Sequence, residues 1–299
     1  MGFGIPVSGS WATPANIRDV AQTAERLGYE SLWSFQRTLY PAGDAIPMPY
    51  RSVHDPLAIS GYVAAVTERA RIGIAIVNLP FYAPIVLAKA LTSIDVLSGG
   101  RLDAGLGLGW SPDEFAAAGV GMQRRGARAE EFIACLRAVW TESPVEFHGE
   151  FYNVPPSYVD PRPVQRPHPP ILLGGSAEPA LRRAGRLADG WISASRFEAA
   201  KVPAAVATIR AAAREAGRDA DAIRIVIRAA VRVRDEDEDT QFSGTLEKIR
   251  RDFATYAASG VTELFVDLNF DELVGTPDAD PTETMRRAHE ALEAFAPAS

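Results

Sequence analysis

The chain has 299 residues, 47% of them hydrophobic and 23% charged, with a net charge of −7 at pH 7. That length suits one large domain burying roughly three quarters of its unfolded surface, and the acidic balance disfavours nucleic acid and anionic membrane as partners. The N-terminal MGFGIPVSGSW lacks the basic and apolar regions of a signal peptide, and no apolar run approaches the roughly 18 residues of a membrane span. A single cysteine, Cys135, excludes an intramolecular disulfide, so a reducing cytoplasm is the expected location.

From the N-terminus, Phe3–Val7 reads as a first strand. Thr13 then caps a helix with Pro14 in its first turn; Ile17, Val20, Ala21, Ala24 and Leu27 recur at helical spacing, and Gly28 ends it. A short strand at Ser31–Ser34 leads into a proline-rich loop, Gln36 to His54. Next come a helix at Pro56–Val66, a strand at Ile72–Val77, a helix at Ala83–Leu97 closed by Ser98-Gly99-Gly100, and a strand opening at Leu102. Phe132, Cys135, Leu136, Val139 and Trp140 form the apolar stripe of another helix. The stretch 144–170, with VEFHGEFYNV in its first half, predicts a hairpin and an extended arm. Strands at Ile171–Leu173, Gly190–Ser193, Ile223–Val233 and Glu263–Asp267 then alternate with helices at Pro179–Leu187, Lys201–Ala216 and Thr245–Ser259. A last helix starts at Asp280-Pro281, where Glu283 completes a capping box, and runs to about Phe295.

Alternating strand and helix signals predict the α/β class with a parallel sheet. Eight such units in this length predict a single domain, residues 1–299, folded as a TIM (β/α)8 barrel. Its additions are the extended loop after the second strand and the hairpin and arm before the fifth. An open doubly wound sheet is the rival topology.

The stretch DVLSGGRLDAGLGLGWSPDEF, 95–115, carries five glycines between Gly99 and Gly109. Alternate residues of a barrel strand point inward, so Gly105, Gly107 and Gly109 share one face. Either that face leaves empty volume at the strand's C-terminal end, where a flat ligand rests on bare backbone, or it admits a neighbour's side chain. A dinucleotide fingerprint is excluded, because GLGLGWSP lacks the second G-x-x-G spacing. In ILLGGSAEPALRRAGRLADGW, Gly174-Gly175-Ser176 joins a strand to a helix, and backbone N–H groups at such a junction suit a phosphate. Arg182, Arg183 and Arg186 on that helix are candidates for added charge, or simply a solvated basic face.

These segments, together with ESLWSFQRTLYP at 30–41, RIGIAIVNLPFYAPIVLAKALTSIDVLSGGRLDAGLGLGWSPDEF at 71–115, FHGEFYNV at 147–154 and PRPVQRPHPPILLGGSAEPALRRAGRLADGW at 161–191, resemble the luciferase-like monooxygenase superfamily. The best-fitting branch is its coenzyme F420-dependent oxidoreductases, common in actinobacteria and commonly homodimeric. The resemblance implies a ring lying across the strand ends at the barrel mouth, backed by a bulge in the third strand, often with a non-proline cis peptide. It maps the ring-binding residues to Ala75, Ile76, Asn78, Gly107 and Gly109, and the cofactor phosphate to Gly174, Gly175 and Ser176.

Where many relatives carry an acidic residue and a histidine after the second strand, this chain has Gln36 and Arg37. Arginine stays protonated, so it stabilises negative charge but is a poor proton shuttle. Trp110 stands where sugar-phosphate-oxidising relatives place a carboxylate. Arg37, Gln36 and Trp110 are therefore the expected catalytic residues, Arg37 supplying charge around the ring and Gln36 and Trp110 shaping the substrate side. Asp113 and Glu114 read either as acid–base groups or as charges opening an exposed helix. Trp11 and Tyr40 are pocket or packing residues. His54, His148, His168 and His289 show no ligand spacing, so no metal is expected, and Cys135 reads as core. The expected function is hydride transfer between F420 and a small, hydrophobic organic substrate. An FMN-dependent monooxygenase using oxygen and a non-catalytic F420-binding protein are the alternatives.

Overall fold

The structure, a computed structural model, describes residues 1–43, 46–256 and 259–297. Parts of the expected loop after the second strand (44–45) and of the expected helix 245–259 (257–258) lie outside the described residues.

The strands in chain order are β1 Gly2–Gly4, β2 Ser31–Ser34, β3 Arg71–Ile74, β4 Val77–Asn78, β5 Leu102–Gly107, β6 Val145–His148, β7 Asn153–Ser157, β8 Ile171–Gly174, β9 Gly190–Ile192, β10 Arg224–Ala230, β11 Arg232–Val233, β12 Ser243–Gly244 and β13 Glu263–Asp267. The helices are α1 Pro14–Arg26, α2 Pro56–Val66, α3 Pro84–Leu97, α4 Pro112–Ala117, α5 Arg125–Thr141, α6 Glu178–Leu187, α7 Val202–Glu215, α8 Leu246–Ala254 and α9 Pro281–Ala294. Parallel pairing runs β3-β2-β1-β13-β10-β9-β8-β5, and β3 pairs β5, so the sheet closes. With β3 and β4 as two halves of one stave, this is the expected eight-stave TIM barrel. The open-sheet rival is excluded by the closing pair Ile72↔Leu102.

The local chemistry that starts and stops the helices matches the expectation. Thr13 accepts the Asn16 N–H at 3.2 Å, and Asp280 accepts that of Glu283 at 2.8 Å. The hairpin forms as β6 against β7, antiparallel. Three strand expectations change. The first strand, expected at Phe3–Val7, is Gly2–Gly4. The third stave breaks at Ala75–Ile76, whose peptide bond is cis. The long Ile223–Val233 run ends its barrel pairing at Ala230, after which β11 pairs with β12 instead.

Alternation places every second strand residue inside, and the inner residues fall into layers. The lowest holds Ser31, Arg71, Asp103, Arg224 and Glu263, tied together by hydrogen bonds. Above it lies an apolar layer in which Trp33 stacks on Phe265 at 5.0 Å, with Leu172, Ile192 and Val226 around them. The upper layer breaks with this filling: Ala75, Gly107, Gly174, Arg228 and Asp267. Small residues and one charged pair leave the top of the barrel open. Among the described residues no helix is long and apolar enough to cross a membrane.

Candidate active site

That open top is a cavity of about 510 Å³ at the C-terminal ends of the staves. Its lining includes Gln36, Arg37, Ala75, Ile76, Asn78, Gly107, Gly109, Trp110, Gly174, Gly175 and Ser176, so these eleven candidates meet in one place. Such mouths are where barrel enzymes keep their chemistry.

The glycines work differently from the simple expectation of bare backbone. A Cβ added at Gly105 would lie 1.7 Å from the Ile74 carbonyl oxygen, and one at Gly107 would lie 2.1 Å from Ile76 Cδ1. Glycine in β5 therefore lets the third stave's bulge press against the strand, and Ile76, not naked backbone, backs the cavity. Gly109 has φ +72°, a left-handed turn that sends the chain toward Trp110 and α4. The two readings of the glycine face thus merge: it admits a neighbour, and that neighbour is the cavity's floor.

Gln36 fixes one wall. Its Oε1 accepts the Asn78 N–H at 2.8 Å, and its Nε2 donates to the Tyr82 hydroxyl at 2.9 Å. Burial and the charge of Asp55 raise the Tyr82 phenol above its ordinary range, with the Gln36 hydrogen bond opposing, so Tyr82 stays protonated. Arg37 is only 7% exposed. Its guanidinium lies 4.5 Å from the ring centres of both Tyr50 and Trp110, and its Nη1 is 3.0 Å from Glu114 Oε2. Glu114 also accepts the Thr38 N–H at 2.7 Å. Glu114 is thus buried at 2% exposure, correcting the expectation of a solvated helix opening, while Asp113 beside it is exposed. Arg37 Nε is buried with no hydrogen-bond partner among the described residues, a donor that a ligand acceptor would satisfy.

At the other end, Gly175 takes φ +127° and its carbonyl accepts the Trp191 Nε1–H at 2.7 Å. The chain then enters α6 through Ala177; Pro179 carries no N–H and the Ala180 N–H donates to the Ala177 carbonyl at 2.8 Å, so the Glu178 N–H is the first-turn donor left without a partner among the described residues. Arg125, at the first position of α5, also lines the cavity and has no carboxylate partner among the described residues. The three α6 arginines do not contribute. Arg182 pairs with Glu215, and Arg183 and Arg186 both pair with Glu130. Trp11 is fully buried and, like Tyr40, lies outside the cavity lining. Among the described residues no cluster of His, Cys, Asp or Glu could hold a metal ion.

A profile described as luciferase-like monooxygenase matches residues 3–265. The chain belongs to this luciferase-like family. An FMNH2-dependent dimethylsulfone monooxygenase of Pseudomonas putida is 34% identical over 235 residues, 78% of this chain and 61% of the relative. An uncharacterised protein of Mycobacterium tuberculosis is 35% identical over 189 residues, 59% of this chain and 66% of its own. The chain thus spans about three fifths to two thirds of the length of these curated relatives. Among solved structures, an F420-dependent secondary alcohol dehydrogenase in complex with an F420–acetone adduct superposes with a TM-score of 0.80 at 16% identity, covering 98% of both chains. The monooxygenase RslO1 of Streptomyces bottropensis gives 0.78 at 21%, again over 98% of both. At these identities the structures establish the shared luciferase-like fold.

Several cavity residues of this luciferase-like chain were missed in the sequence, among them Phe35, Tyr50, Arg125, Ser193 and Arg228. Arg228 left a signal. With Arg224 it is one of two charges on the inward parity of β10, RIVIRAA, and Asp267, with Glu263, is a matching inward acid of ELFVD. Tyr50 and Arg125 sit in loops and helix starts, where no periodicity marks direction.

Proposed function

We propose that this luciferase-like protein is an oxidoreductase that moves a hydride between coenzyme F420 and a small organic substrate. The observation carrying this reading is the joining, in one cavity, of a glycine-backed floor at one end and the α6 N-terminus at the other. The donor set fits the group. The Glu178 N–H at the start of α6, the Ser176 hydroxyl and Arg125, whose Nη1 donates to the Gly109 carbonyl at 3.3 Å and which has no carboxylate partner among the described residues, suit a phosphate, while Ile76, Gly107 and Gly109 offer a flat apolar bed. When bound, the deazaflavin supplies the hydride chemistry itself.

The protein's part is then to hold and exclude. Ala75, Ile76 and Asn78 support the ring, with Gly107 and Gly109; Gly174, Gly175 and Ser176 take the phosphate. Arg37, Gln36 and Trp110 face the substrate. Arg37, permanently charged and stacked between two rings, offers N–H groups to an acceptor oxygen on the substrate. Phe35, Tyr50 and Trp110 favour a hydrophobic remainder. Full-length superposition on an F420-dependent dehydrogenase supports the deazaflavin. A second reading, a monooxygenase using reduced FMN and oxygen, is supported by the 34% identity to the dimethylsulfone enzyme.

Titration of the purified protein with F420 and FMN side by side tests the choice. Micromolar or tighter binding of F420 with at least tenfold weaker FMN is expected; the reverse order would assign the FMN reading instead. We also infer a homodimer: α3 exposes Val86 at 61% and Leu97 at 68% on its outer face. Light scattering on the same preparation should give twice the chain mass.

A further inference from the structure

Arg228 and Asp267 are the only charges of the barrel's upper inner layer among the described residues, directly above the Trp33–Phe265 stack. Asp267 Oδ2 accepts Arg228 Nε at 2.7 Å and lies 2.6 Å from Nη2. Its Oδ1 accepts the Asn269 N–H and side-chain amide at 3.0 and 2.8 Å, so the carboxylate is fully engaged. The guanidinium lies 4.7 Å from the Phe35 ring centre and 4.5 Å from that of Phe270. Its remaining nitrogen, Nη1, donates to the Ala75 carbonyl at 3.1 Å, on the bulge beneath the cavity. Arg228 lines the cavity; Asp267 is not part of the lining.

A buried ion pair is weak evidence for stability, because well-packed apolar residues often serve as well. This one is placed where its charge matters to an occupant. Resting on the cofactor assignment above, we propose that Arg228 is a positioning residue that sets the redox balance of the bound ring. It holds the Ala75–Ile76 bulge through the Ala75 carbonyl, and its charge toward the cavity is tempered by Asp267 behind it. The physical ground is charge counting. A ring that accepts a hydride gains one negative charge, so a positive charge at the wall favours the reduced state over the oxidised one and a negative charge does the reverse.

The test compares dissociation constants of oxidised and dithionite-reduced F420, with FMN in parallel, across variants. Arg228→Met leaves the carboxylate unanswered and should weaken the reduced form relative to the oxidised by at least tenfold. Asp267→Asn leaves the cation unanswered and should move the ratio at least tenfold the other way. Tenfold in this ratio corresponds to about 30 mV for a two-electron couple. The double variant R228M/D267N, lacking both charges, should return the ratio to within about twofold of the unaltered protein. Should R228M fail to fold, D267N against the double variant still decides. Arg228→Lys keeps the charge but loses the fork to Ala75, and should weaken both redox states about equally. A merely structural pair would change melting temperature and leave the ratio unmoved in every variant, which overturns the proposal. Failure of either ring to bind the unaltered protein would overturn the cofactor assignment along with it, whereas tight binding with an unmoved ratio overturns this role alone.

Discussion

The two ends of the barrel make the same residue types do opposite things. At the N-terminal end the larger hollow, about 740 Å³, is lined by Glu25, Arg71, Arg224 and Glu263, and its charges answer one another. Asp103 receives Arg71 Nε at 2.9 Å and Arg224 Nη1 at 2.8 Å; Arg224 reaches Glu263 at 2.8 Å, and Glu263 receives Trp33 Nε1 at 2.9 Å. Burial works against the Arg224 charge, yet Asp103 and Glu263 hold its guanidinium above the ordinary range. At the C-terminal end the hollow is smaller, but Arg37 keeps an unanswered buried Nε and Arg125 has no acid beside it among the described residues. Size does not separate a structural end from a functional one. Unanswered donors over a glycine-backed floor do.

The largest effect belongs to the structural end. Asp103→Ala removes a fully buried carboxylate shared by two arginines and should lower unfolding stability by about 3 to 5 kcal/mol in urea. The cofactor affinity of the protein that remains folded should change less than twofold, since the apolar Trp33–Phe265 layer separates the mouth from that layer. A large affinity loss would erase the distinction between the ends.

Next comes a change at the mouth with the opposite signature. Gly107→Val places a Cβ where Ile76 Cδ1 now sits, 2.1 Å from the added atom. The obstacle is the tip of a flexible side chain, so the fold yields for about 1 to 2 kcal/mol. Ile76 is displaced into the space an occupant needs, and F420 affinity should fall about a hundredfold, read by fluorescence titration beside a thermal melt. Unchanged affinity would mean that the ring does not rest on the bulge.

Most of this architecture was legible in the chain. Helix caps such as Thr13 and Asp280, the 3.6-residue periodicity of α1 and α5, and turn glycines such as Gly28 are local signals, and the structure follows them. The layered interior was not legible. Parity alone puts Arg71, Asp103, Arg224 and Glu263 inside, yet nothing in one strand says which charge on another will answer it. The same limit hid the Arg37–Glu114 pair, whose partners are far apart in sequence and meet because β2 and the β5 end neighbour the same bulge. It also misdirected the α6 arginines. Their place beside the Gly174–Ser176 junction made them candidates to assist a phosphate, or else a basic surface face, and sequence does not reveal Glu130 and Glu215 waiting on α5 and α7.

The smallest effects come from setting Arg125 against Arg182. Arg125 lines the cavity from the start of α5, and Arg125→Ala should weaken F420 about tenfold, the scale of one charge-assisted contact. Arg182 is 41% exposed and spends its charge on Glu215, itself 57% exposed, a surface pair worth at most about 1 kcal/mol. Arg182→Ala should leave F420 affinity within twofold and barely move the melting temperature. Raising the salt concentration should weaken binding to the Arg182→Ala protein as much as to the unaltered one, and weaken binding to Arg125→Ala less, because that variant has already lost the contact salt screens. Equal salt slopes in all three would remove Arg125 from the anion site and leave the α6 N-terminus to hold the phosphate alone.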